Sequence, residues 1–145
     1  MTGAELAAQA LAAAGDAILT VDTSGLITSW NPAAEALLGH RSDQAVGQTL
    51  ALIIPPVHRS RHVAAFHAAM ESGALAHRGR PARVEAMTSE GIVIPIRMSL
   101  GVIVSSGAEP AGAVAVLRDA RTQPVPFIGP SAHPSRPTNK DSDDA

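Results

Sequence analysis

The sequence contains no cysteine, which excludes disulfide frameworks, thiolate metal sites, iron–sulfur clusters, cysteine nucleophiles and cysteine-linked flavin photochemistry. Aromatic residues are scarce. Among 145 residues only Trp30, Phe66 and Phe127 are aromatic, so there are no stacking platforms for single-stranded nucleic acid. Charge of one sign is also missing, since 11 Lys and Arg stand against 13 Asp and Glu. With a pI near 6.3, no global basic field recruits nucleic acid or an anionic membrane. The most apolar window, Ile92 to Leu117, is broken by Pro95, Arg97, Glu109 and Pro110. It falls short of the about 20 uncharged apolar residues a membrane span needs. The N-terminus lacks a basic region, and Glu5 and Asp16 interrupt its apolar stretch, so no export signal is read. The expectation is a soluble, cytoplasmic protein.

What is present is aliphatic. Hydrophobic residues make up 46% and charged residues 17%, enough for a core built from Ala, Val, Ile and Leu. The length fits one domain. Residues 2–14 read as an alanine-rich helix capped by Thr2 with Glu5 three positions later. Leu6 and Leu11 alone give it a weak apolar stripe, so it needs a docking partner, either the domain or a second copy.

Two short strands, Ala17–Asp22 and Leu26–Asn31, flank the turn formers Thr23, Ser24 and Gly25 and read as a hairpin. Asn31-Pro32 starts a helix that runs to Gly39. A short helix is expected between Ser42 and Gly47. Pro55-Pro56 opens a longer one over roughly 56–71, with Val63, Phe66 and Met70 at i, i+3 and i+7 and His62 joining that face.

The C-terminal half alternates as antiparallel strands do. Ala82, Val84 and Ala86 share one side of a strand at 80–88. Then Ile92, Ile94, Ile96, Met98, Leu100, Val102 and Val104 take every second position. A last strand is read at Gly112–Leu117. Residues 121–145 hold five of the eleven prolines and end in a polar run, the composition of a disordered tail. Strands at both ends with helices between them predict an α+β domain, one antiparallel sheet covered on one face. The expected organisation is a flanking helix at 1–14, a domain at 15–120 and a tail at 121–145.

Enzymatic signatures are wanting. The glycines are scattered singly through turns and helix ends, so no phosphate loop forms. Ser105-Ser106-Gly107 sits in an expected hairpin and not in a nucleophile elbow. Asp22 and Glu35, the carboxylates nearest the expected interior, fit turn and helix-surface roles. His58 and His62 have the i, i+4 spacing of metal ligands, with His77 or Glu85 as a third. Arg59, Arg61, Arg78, Arg80 and Arg83 make the middle locally basic, as a solvated surface would be. The large even face of 92–104 against the small face of 82–86 is consistent with interdigitation or with a cavity for a planar or aliphatic ligand.

The segment Ile27-Thr28-Ser29-Trp30-Asn31-Pro32-Ala33-Ala34-Glu35-Ala36-Leu37-Leu38-Gly39 resembles the W-N-x-A-A-E-x-L-x-G signature of PAS sensor domains. Asp22 with Gly25, Val46-Gly47, and Glu90-Gly91 followed by Pro95 match further family positions. This resemblance implies a five-stranded sheet in the order 2-1-5-4-3 with a pocket between sheet and helices. Pro56-Val57-His58-Arg59-Ser60-Arg61-His62 is in addition similar to the helix of haem-binding oxygen sensors of the FixL type. That likeness implies His62 as the proximal iron ligand, with Phe66 on the same helix face and Met98 and Leu100 where apolar distal residues line the gas site. The arginines that meet oxygen and a haem propionate in those sensors correspond here to Ala82 and Ala68.

The functional expectation is a non-catalytic sensory module that binds a small ligand or a partner and relays a conformational change. A haem-based gas sensor using His62, Phe66, Met98 and Leu100 is the first alternative. A ligand-free domain that pairs with itself or with another PAS protein is the second. Met1 and the polar tail favour a small complete protein acting in trans over a fragment of a longer receptor.

Overall fold

A computed structural model describes residues 1–74 and 80–121. His77, Arg78 and the expected tail beyond Arg121 lie outside the described residues. The elements are α1 (Gly3–Ala13), β1 (Ala17–Val21), β2 (Ile27–Trp30), α2 (Pro32–Leu38), α3 (Ser42–Ala45), α4 (Arg59–Ser72), β3 (Ala82–Met87), β4 (Val93–Val104) and β5 (Pro110–Asp119). Short 3-10 turns at Leu50–Ile53 and Pro56–His58 lead into α4.

Local chemistry sets these boundaries. Thr2 and Glu5 form a reciprocal capping box at α1. The Asp22 carboxylate accepts from the Ser24 and Leu26 amides, and Gly25 supplies the positive φ that closes the hairpin. Pro32 opens α2 behind the Asn31 cap, and Gly39 ends it in the left-handed region.

The five strands form one antiparallel sheet ordered β2-β1-β5-β4-β3, as the family resemblance implies. One face is the core. Leu19, Ile27, Ile94, Ile96 and Leu117 are fully buried there, in one cluster with Leu38 of α2. Alanines fill much of the rest (Ala17, Ala34, Ala45, Ala86, Ala113 and Ala115). Small side chains at the floor leave room where α4 crosses.

Four readings shift in detail. The helix expected from residue 56 is a 3-10 turn at Pro56–His58 followed by α4, because the prolines lack N–H groups and the first turn closes on His58 N to Pro55 O. Val63 is exposed, and the stripe toward the sheet is His62, Phe66, Ala69 and Met70, so of the expected face only Val63 turns to solvent. The alternation over 92–104 holds at its centre, where Ile94 and Ile96 are buried and Met98 and Leu100 half-buried. Its ends are open: Ile92 lies in the turn before β4, and Val104 follows a bulge. Strand β5 reaches from Pro110 to Asp119, beyond the expected 112–117, since Pro110 pairs with Val104 across that bulge.

Candidate functional site

His62, Phe66, Met98 and Leu100 come from elements far apart in sequence and line one cavity of about 640 Å³ between α4 and the sheet. The floor is Leu19 and Val21 of β1 with Ala113 and Ala115 of β5, and Val84, Ala86 and Ile96 build a side wall. Leu50, Ile53 and Ile54 close one end. Sequence reasoning missed this last group. Its signal was the Ile53-Ile54 pair just before two prolines, which pins an apolar turn against the core.

The polar groups gather at the rim. Arg61 and Arg80 are exposed and line the opening. Glu85 also lines it and meets His58, with Nε2···Oε2 at 3.3 Å, across the gap between the start of α4 and β3. Arg59 turns away and donates its Nε–H to the Ile54 carbonyl at 3.0 Å. His62 is half-buried, and its pKa lies below the usual histidine value, first because burial penalises the charged ring, then because His58 and Arg61 are close. Its imidazole is therefore neutral near pH 7. Among the described residues it has no hydrogen-bond partner.

Of the residues with metal-ligand spacing, His77 lies outside the described residues. His58 is engaged with Glu85, and no group of three His, Asp or Glu side chains among the described residues can hold an ion. Asp22 serves the hairpin turn, and Glu35 accepts from the Ser42 amide at 2.7 Å. Ala68 and Ala82, the positions aligned with the two arginines of the haem sensors, both line the cavity. A second, open hollow of about 470 Å³ lies between β5 and α2. Its charged groups neutralise one another, Arg118 with Asp16 at 2.9 Å and Arg121 with Asp119 at 2.7 Å. No helix among the described residues is long and apolar enough to cross a membrane.

Known proteins carry the same architecture. The chain is similar to a PAS domain from Colwellia psychrerythraea (24% identity, 80% of this chain and 95% of that one, TM-score 0.68). It is also similar to a Rhodobacter sphaeroides LOV protein (13%, 84% and 70%, 0.68). A third similar structure is the PAS domain, in complex with ethanol, of a LuxR-family transcriptional regulator from Burkholderia thailandensis (12%, 79% and 97%, 0.62). An uncharacterized protein of Azorhizobium caulinodans is 31% identical over 86 residues, which are 59% of this chain and only 12% of that protein. The PAS fold family matches residues 5–120; the chain belongs to that family, whose members are generally sensory and signal-transduction modules.

Proposed function

We propose that this PAS domain is a non-catalytic cytoplasmic sensor whose input is a small, largely apolar ligand held between α4 and the sheet. One observation carries the reading. A cavity of about 640 Å³, within the size range of ligand sites, is covered by a helix that buries only Ala69 fully. Such a helix is held by few contacts, so an occupant that fills the cavity has leverage over its position. The signal requires that the ligand favour one placement of α4 over another. It then leaves through α1 or through the chain beyond Asp119 to a partner, a second copy or another signalling protein. The ethanol complex of the Burkholderia domain supports small-molecule occupancy of this fold.

The test is a titration with 1-anilinonaphthalene-8-sulfonate, an aromatic probe with one anionic sulfonate whose fluorescence rises on leaving water. The expected result is saturable binding in the native chain that Ala115→Leu, which fills the floor, abolishes. Equal binding in both, or none in the native chain, contradicts the reading. Retained near-ultraviolet dichroism of Trp30 shows that each variant keeps its packing.

A second reading is favoured by the neutral, unpartnered His62 on the cavity wall. The residues fit a haem at its iron and its faces: His62 would ligate the metal, and Phe66, Met98 and Leu100 would flank the macrocycle. Bound iron would supply a gas-binding position. Its carboxylate edge would have to meet Arg61 or Arg80, because Ala68 and Ala82 offer no cation. An intense Soret band after adding haem, lost in His62→Ala, supports this reading; a spectrum holding only protein absorption removes it.

A further inference from the structure

Polarity within the α4 cavity is one-sided. The floor and the sheet-side wall (Leu19, Val21, Ala113, Ala115, Ile96) present only hydrocarbon, the neutral His62 ring stands on the α4 side, and the charges stand at the opening. Two permanent cations, Arg61 and Arg80, line that opening. Neither has a carboxylate within ion-pair distance among the described residues. Residues 75–79, which precede Arg80 in the chain, contain no acidic side chain. The one acid at the rim, Glu85, already faces His58. An apolar interior under a rim of unspent positive charge suits an amphiphile with an anionic end.

Resting on the cavity reading above, we propose that the ligand class is a medium-chain or arylalkyl monocarboxylate, with its hydrocarbon against Ile96, Met98 and Leu100 and its carboxylate at Arg61 and Arg80. A neutral ligand of the same shape would leave both guanidiniums without a partner. A dianion would have to divide the two guanidiniums between its charges beside Glu85, or send its second charge onto the hydrocarbon floor. A cation would meet two like charges at the entrance. Arginine is suited to this task because its planar fork can take both carboxylate oxygens.

Calorimetric titration of the full chain with octanoate and with 1-octanol tests this directly. Octanoate is expected to bind about tenfold tighter than the alcohol, the scale of one hydrogen bond to a charged group. The preference should narrow as salt is raised, since the guanidiniums are exposed. In the Arg61→Gln/Arg80→Gln double variant the ratio is expected to fall to near parity. Both arginines are on the surface, so folding does not depend on them. Equal affinities in the native chain, or a preference that survives the double variant, overturn the carboxylate assignment while leaving the cavity as a ligand site. Binding of neither compound overturns both.

Discussion

Asn31 and Ile18 hold each other reciprocally: the Ile18 amide donates to Asn31 Oδ1 at 2.9 Å, and the Asn31 amide donates to the Ile18 carbonyl at 3.1 Å. The same Oδ1 accepts from the Ala34 amide at 3.0 Å, capping α2, while Nδ2 donates to the carbonyls of Leu11 and Asp16. One buried carboxamide thus ties β1, α2 and the end of α1 together. Replacing it with alanine strands several backbone groups, and Asn31→Ala is expected to cost about 2–4 kcal/mol in urea unfolding. Asn31→Asp keeps the oxygen that caps α2 but sets a carboxylate against two carbonyls. It should raise hydrogen exchange selectively in α1; unchanged exchange there would show that α1 is held by other means.

The signature around Trp30 was legible because each of its residues has a local task. Trp30 donates its indole N–H to the His40 carbonyl at 2.9 Å, Asn31 caps and ties, and Glu35 accepts from the Ser42 amide. Turn chemistry and strand alternation likewise mark the hairpin and the centre of β4 in the sequence. Less visible was the bulge at Ile103/Val104 that lengthens β5, since Glu109-Pro110 reads locally as a turn. The cavity's content was only half legible. Periodicity and resemblance point to His62, Phe66, Met98 and Leu100. The open volume, however, depends on alanines of β5 lying opposite α4, a relation between distant elements that no local pattern encodes.

Gly112 and Gly101 make opposite predictions. A Cβ on Gly112 would overlap the Val21 carbonyl on the neighbouring strand, and its φ of +152° disfavours any side chain. Backbone cannot yield as a side chain can, so Gly112→Ala is expected to lose about 3 kcal/mol or to fail to fold. At Gly101 the nearest atom is a Val114 methyl at 3.2 Å, on a rotatable group. Gly101→Ala should stay within about 1 kcal/mol of the native chain. Thermal melts of the two variants decide, and similar losses in both would refute the close approach of β5 to β1.

Stability should fall in acid partly through His62. Its folded pKa lies below the ordinary value of 6.5, so the unfolded chain binds the proton more readily. The neutral ring carries no penalty above pH 6.5, and stability declines as pH drops from there through the lowered folded pKa. His62→Gln removes the titrating group. The difference in unfolding free energy between variant and native chain should therefore shift in the variant's favour below pH 6.5 and be flat above it. A difference independent of pH would mean that His62 titrates as it does in the unfolded chain.

Charge at the rim predicts little stability from its ion pair. His58 is partly exposed and Glu85 exposed, 3.3 Å apart, and Glu85→Gln should change the unfolding free energy by less than about 1 kcal/mol. A larger loss in chemical denaturation would assign the pair a structural role in seating α4.

The most direct test of the cavity as the sensory site is amide chemical-shift mapping of the isotope-labelled chain with saturating 1-anilinonaphthalene-8-sulfonate. The predicted result is that perturbed signals cluster on α4 from Arg61 to Met70 and on the core-facing residues of β3, β4 and β5, spreading from there toward α1 or Asp119. Perturbations confined to the opposite face of the sheet, around Ile18, Val114 and Val116, would contradict the account.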